Sequence, residues 1–81
     1  MARAYSFRRT SDGKIASVMP LPQEAFLTKN GSLLVRGWGD KNRALKLVVF
    51  DVPQIKRLLG IRFNDPIPEG ATKVEFTAED L

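Results

Sequence analysis

Asn30-Gly31 stands between two apolar runs and constrains this chain more than any other dipeptide. A two-residue Asn-Gly linker is the strongest short-range hairpin signal, because both turn residues must adopt positive φ and these two tolerate it best. The dipeptide therefore predicts that strand Ala25–Lys29 turns back into strand Ser32–Trp38. A second turn at Gly39-Asp40-Lys41-Asn42 leads into strand Arg43–Phe50. Asp51-Val52-Pro53 then reads as a helix start, a capping carboxylate followed by proline in the first turn, where its missing N–H costs nothing. Ile55, Leu58 and Leu59 follow the i, i+3, i+4 spacing of one helical face, and Gly60 closes the helix. In the fourth strand Leu33 and Val35 share a face opposite Leu34, Arg36 and Trp38. The fifth is nearly continuous in apolar residues from Leu45, as expected of a strand covered on both sides.

The flanking segments extend this meander. Arg3–Arg9 alternates, with Tyr5 and Phe7 on one face, the period of a half-buried strand. Thr10-Ser11-Asp12-Gly13 is a turn in which Gly13 takes the left-handed position. Lys14–Leu21 is a second strand, ended by Pro20 and Pro22, which cannot donate to a ladder. Asp65-Pro66-Ile67-Pro68-Glu69-Gly70 is a stiff loop, Thr72–Phe76 a last strand, and Thr77–Leu81 the start of a helix.

Eighty-one residues make one domain with a small core. The chain has no cysteine and no histidine. Disulfides and thiolate metal sites are thereby excluded, and so are the commonest general base and metal ligand. Self-association becomes a natural substitute for the missing cross-links. No apolar run approaches the ~20 residues needed to span a bilayer, and the N-terminus lacks the apolar stretch of a signal peptide. The expectation is a cytoplasmic protein without membrane contact. Net charge is +4, unevenly spread: residues 1–50 carry nine basic and three acidic side chains, residues 51–81 four basic and six acidic. A basic meander with a mildly acidic tail suits either a polyanion partner or head-to-tail self-association.

Two constellations carry this charge. Arg36-Gly37-Trp38-Gly39, with Lys41, Arg43 and Lys46 nearby, sets an indole between glycines and among cations, which is how single-stranded bases and nucleotides are held by stacking and phosphate neutralisation. Trp38 could equally fill a core or a subunit interface. Arg8 and Arg9 face Lys14 across the first turn, where they could hold phosphate or simply guard a strand edge. No two carboxylates share a buried face for acid–base chemistry, the serines have no histidine base, and Gly37-Trp38-Gly39 lacks phosphate-loop spacing. The expectation is a protein that is not an enzyme and uses no cofactor or metal.

Met19-Pro20-Leu21, Gly31-Ser32-Leu33-Leu34-Val35-Arg36-Gly37-Trp38 and Phe50-Asp51-Val52-Pro53-Gln54-Ile55 stand in the order seen in small five-stranded barrels. Over about residues 3–57 the chain resembles Sm-like and Src-homology-type (SH3-like) barrels, and more narrowly WYL domains, although Ser32-Leu33-Leu34 replaces their Trp-Tyr-Leu signature. That resemblance implies association with nucleic acid or nucleotides. The combined reading is a mainly β fold, a small antiparallel barrel of five or six strands with one short helix after strand five. Its expected function is binding of nucleic acid or a nucleotide through Arg8, Arg9, Lys14, Arg36, Trp38, Lys41, Arg43 and Lys46. The alternative is a homo-oligomeric structural or protein-interaction module, such as a phage or mobile-element accessory protein, in which the basic meander of one subunit meets the acidic tail of the next.

Overall fold

A computed structural model describes residues 3–37 and 44–81. It is mainly β, with nine strand segments and no helix among the described residues. They are β1 (Arg3–Tyr5), β2 (Arg8–Arg9), β3 (Ile15–Pro20), β4 (Glu24–Leu27), β5 (Ser32–Arg36), β6 (Leu45–Phe50), β7 (Arg57–Gly60), β8 (Thr72–Lys73) and β9 (Phe76–Asp80). Two sheets form, in the orders β1-β7-β5-β4-β8 and β2-β3-β6-β9. We refer to them as the first and second sheet. All pairings are antiparallel except β5 with β7. The arrangement is thus a pair of sheets in place of the expected closed five- or six-stranded barrel. Each edge of one sheet continues into an edge of the other: β1 runs into β2 through Ser6-Phe7, and β8 into β9 through Val74-Glu75. The radius of gyration is 11.7 Å, the value of a compact single chain of this length.

The core lies between the sheets. Ile15, Met19, Val48 and Phe50 from the second sheet meet Ala25, Leu33, Val35 and Leu58 from the first, with Val52, Ile55 and Val74 closing the ends. Phe50 also packs on Phe76, ring centroids 5.5 Å apart and tilted by 51°. Burial of each large side chain contributes about 1.5–3 kcal/mol, so these residues dominate a fold that has no covalent staple.

The helix expected over Asp51–Gly60 does not form. Asp51 to Lys56 run without regular structure, and Arg57–Gly60 is a strand inserted between β5 and β1. The reason is competition for backbone partners. A two-turn helix gains little, because nucleation is costly, whereas β5 is buried and its second edge needs a ladder. The i, i+3, i+4 spacing serves a different geometry. Ile55 caps one end of the core, Leu58 points into it, and Leu59, the next residue, lies on the outer face beside Leu34. The irregular stretch is held by tertiary bonds, from Asp51 N–H to the Glu75 carbonyl (3.0 Å) and from Lys56 N–H to the Gly31 carbonyl (2.7 Å). The tail Thr77–Leu81 is likewise not a helix start, because β9 takes the free edge of β6 through Asp80.

The turns follow expectation at Gly13 and depart from it at Asn30. Gly13 has φ +83°, as expected. At Asn30-Gly31 only Gly31 is left-handed, φ +86°, and no non-glycine residue among those described has positive φ. The hairpin loop is therefore three residues long, a type I turn closed by a glycine bulge, and not a two-residue turn. Gly37, φ +95°, ends β5 where a Cβ would stand 2.5 Å from Gln23 Cβ. The close neighbour at Gly37 is thus the Gln23 side chain. Trp38 and Gly39 through Arg43 lie outside the described residues. No helix long and apolar enough to cross a membrane occurs among the described residues.

Candidate functional site

Two turns of the same design shape the site. In the first, Thr10 N–H donates to the Lys14 carbonyl (2.8 Å), Gly13 N–H to the Thr10 carbonyl (3.1 Å), and Lys14 N–H to Thr10 Oγ1 (2.9 Å). In the second, Thr28 N–H donates to the Ser32 carbonyl (2.8 Å), Gly31 N–H to the Thr28 carbonyl (3.2 Å), and Ser32 N–H to Thr28 Oγ1 (3.1 Å). Each threonine hydroxyl also donates to the residue two places on, Asp12 in one turn and Asn30 in the other. The shared pattern is Thr-x-Asx-Gly, in which a short polar side chain completes the turn and glycine supplies positive φ. The Thr10 hydrogen bond holds the Asp12 carboxyl below the usual aspartate range, assisted by the Lys14 charge.

The second turn brings together cations that are distant in sequence. Arg9 leaves the end of β2 and its Nη2 donates to the Ile55 carbonyl at 2.9 Å, while its guanidinium carbon lies 5.8 Å from the Phe7 ring centroid. Lys56 is fixed by its backbone bond to Gly31, and its stem runs over that glycine, with Cγ 3.4 Å from where a Cβ would be. Lys29 is the first residue of the loop proper. Arg9, Lys29 and Lys56 line a cleft of about 390 Å³ together with Asn30, Gly31, Gln54 and Ile55. The lining holds three cations, two carboxamides and no carboxylate. On the far side of Lys29 and Asn30 a second cleft of about 370 Å³ adds Arg57, with Glu69 opposing it and Leu34, Leu59 and Pro68 as its apolar wall.

Such a grouping suits an anion. Like charges gathered together repel, and phosphate or another multivalent anion relieves that repulsion with charge-assisted hydrogen bonds. Lys29 also reaches over Gly70, its Nζ 3.0 Å from where a Cβ would be, and shares the second cleft with Glu69. Arg9 spends one of its five N–H donors on Ile55 and has no other hydrogen-bond acceptor among the described residues. Asn30 and Gln54 add neutral donors and acceptors.

The sequence-predicted residues are distributed differently. Arg8 and Arg9 are neighbours on β2 but point to opposite faces, in register with Ala16 and Ile15 respectively. Arg8 lines a separate cleft of about 490 Å³ with Arg3, Phe7, Val18 and Leu47. Lys14 lies 4.0 Å from the Asp12 carboxylate and beside Asp51 and Glu75. Lys46 is paired with Asp80, whose carboxyl it draws below the usual range. Arg36 is engaged on every side. Its Nε donates to Glu24 at 2.7 Å, its Nη1 donates to the carbonyls of Phe63 (3.1 Å) and Asp65 (3.4 Å), and its guanidinium lies between the rings of Phe26 (5.3 Å) and Phe63 (5.1 Å). It ties the 61–65 loop to the first sheet. Trp38, Lys41 and Arg43 lie outside the described residues.

Sequence reasoning missed Lys29 and Lys56. The signal for Lys29 was its place beside Asn30-Gly31. Lys56 falls within the helix expected over Asp51–Gly60, a geometry that gives no reason to set it beside Gly31. Compared with protein-family models, curated proteins and solved structures, the chain matches none.

Proposed function

We propose that this protein is a non-enzymatic binding module for nucleic acid or a nucleotide, with Arg9, Lys29 and Lys56 as its phosphate-contacting centre. One observation carries the reading: three cations from β2, the 28–31 turn and the segment before β7 line one cleft with no carboxylate among them. The Sm-like and WYL-like resemblance points the same way, and so does the basic excess of the first fifty residues. Arg8 points to the opposite face of β2 and lies outside this cleft. Arg36 and Lys46 contribute less, since each already has a carboxylate partner. Stacking on Trp38 remains part of the proposal.

The test is titration of a labelled single-stranded oligonucleotide across a salt series. Three phosphate contacts give a slope of log K against log salt near −2, from about −0.7 per contact on single strands. The Arg9→Gln/Lys29→Gln/Lys56→Gln variant loses most of that slope, whereas Lys46→Gln retains it. Absence of binding at low salt, or a triple variant that binds as the parent does, defeats the proposal. Competition by a nucleoside triphosphate separates a nucleotide site from a strand-binding one.

A further inference from the structure

The outer face of the second sheet presents an apolar surface with oppositely charged rims. Strand register puts Arg8, Ala16, Val49 and Thr77 in one row and Val18, Leu47 and Glu79 in the next, with Pro20 and Leu45 beyond. Val18 and Leu45 are 50% and 53% exposed. Residues 3–7 flank this face on its β2 side, lining a cleft with Arg8, Ala16, Val18 and Leu47, and Ala16 is buried there. An antiparallel sheet with one wet face ordinarily alternates apolar and polar residues, yet here the outward positions of β3 and β6 are Ala16, Val18, Pro20, Leu45, Leu47 and Val49. Val18 and Leu45 are exposed and Pro20, Leu47 and Val49 half-buried, and apolar surface left open in this way marks an interaction site.

We infer that this face is a homodimer interface, in which two copies pack sheet on sheet about a two-fold axis running along the strands. The rims select that occupant. Arg8 stands on the β2 side and Glu79 on the β9 side of the same face. A two-fold axis along the strands lays the β2 rim of each copy over the β9 rim of the other, so Arg8 of one copy comes within a diagonal neighbour's reach of Glu79 of the other, twice. The contact is self-complementary and closes at two subunits. Aligned sheets pack about 10 Å apart, and Val18, Leu45, Leu47 and Val49 then fill the gap between the copies. Arg9, Lys29 and Lys56 stay outside it, because Arg9 points to the opposite face from Arg8.

Sedimentation equilibrium over a concentration series tests this, together with circular dichroism and oligonucleotide titration. The parent chain is expected to run at twice its 9.1 kDa mass. Val18→Asp/Leu45→Asp raises the dimer dissociation constant by on the order of a hundredfold or more while leaving the spectrum unchanged. Arg8→Glu weakens the dimer, and adding Glu79→Arg restores it. This charge swap leaves the apolar surface intact, so it decides the matter even if the aspartate variant does not fold. A parent monomeric at all concentrations overturns the inference. So does a dimer indifferent to both sets of variants, or open-ended assembly. The oligonucleotide titration keeps this outcome separate from that of the proposed function, since the dissociated variant retains the cleft.

Discussion

The two outer faces of this molecule carry similar apolar residues and meet opposite ends. On the first sheet Phe26, Leu34 and Leu59 stand in one row of the register, and the 61–70 loop folds back over them. Ile61 N–H bonds to the Val35 carbonyl at 2.9 Å, Arg36 holds the Phe63 and Asp65 carbonyls, and Pro68 lies near Leu34 and Leu59. Leu34 is left only 7% exposed. On the second sheet Val18 and Leu45 have no such cover among the described residues. The difference teaches that one face is closed by the chain's own loop, with an arginine as its fastener, while the other has no such cover among the described residues.

The largest expected contrast comes from truncating each face. Leu34→Ala should cost about 2–4 kcal/mol, as a buried leucine does, whereas Leu45→Ala measured below the dimer concentration should stay within about 0.5 kcal/mol. Denaturant unfolding reads both, and equal losses would erase the contrast. Next comes the fastener itself. Arg36→Ala leaves Glu24 and two carbonyls without their donor and should cost about 1–3 kcal/mol. Amide exchange should then speed up at Ile61 and Asp65 but not along β3 and β6. Arg36→Lys should recover only part of the loss, because a point charge cannot reproduce the fork or lie flat between two rings.

Gly37→Ala asks whether the first sheet tolerates movement at its rim. Positive φ and the approach to Gln23 both oppose a Cβ, so a loss of about 1 kcal/mol or more is expected by thermal or denaturant melting. The smallest effect belongs to the second sheet's edge. The Asp80 carboxyl is lowered in the fold by its hydrogen bond and charge contact with Lys46. Its contribution is therefore present above the unfolded aspartate value of about 3.9 and fades as pH falls through the lower folded value. Amides of Phe76 to Asp80 should exchange faster below that range in the parent, and Asp80→Asn should remove this pH dependence.

Much of the sheet content was legible in the residues. The apolar strands around Leu33 and Val48 and glycine at position 13 reported local geometry, and local geometry prevailed there, whereas the single strand expected over Arg3–Arg9 breaks at Ser6-Phe7 and gives one half to each sheet. Asp51–Gly60 was misread because its helical spacing is also satisfied by one core-capping residue, Ile55, followed by a strand with Leu58 and Leu59 on opposite faces. Only the unmet edge of β5 decides between the two, and that edge is a tertiary fact. The candidate site was illegible for the same reason. Lys29 and Lys56 are twenty-seven positions apart in sequence and meet through one backbone hydrogen bond to Gly31. Arg36 looked free because neither Phe63 nor the Asp65 carbonyl could be placed beside it from spacing alone.

The twin turns have one further consequence, and it concerns chemical ageing. An asparagine followed by glycine loses its side-chain amide readily, since glycine lets the next backbone nitrogen reach the amide carbon, and Asn30-Gly31 is such a pair. The sister turn shows that the fold would carry the α-linked aspartate product, because Asp12 already accepts the corresponding threonine hydroxyl there. The cleft would register it, however, as a negative charge placed beside Lys29 and Lys56. The α-linked product is therefore expected to keep the parent's melting temperature while its affinity for polyanions declines, whereas the β-linked product of the same cyclic imide lengthens the turn backbone by one carbon and lowers both.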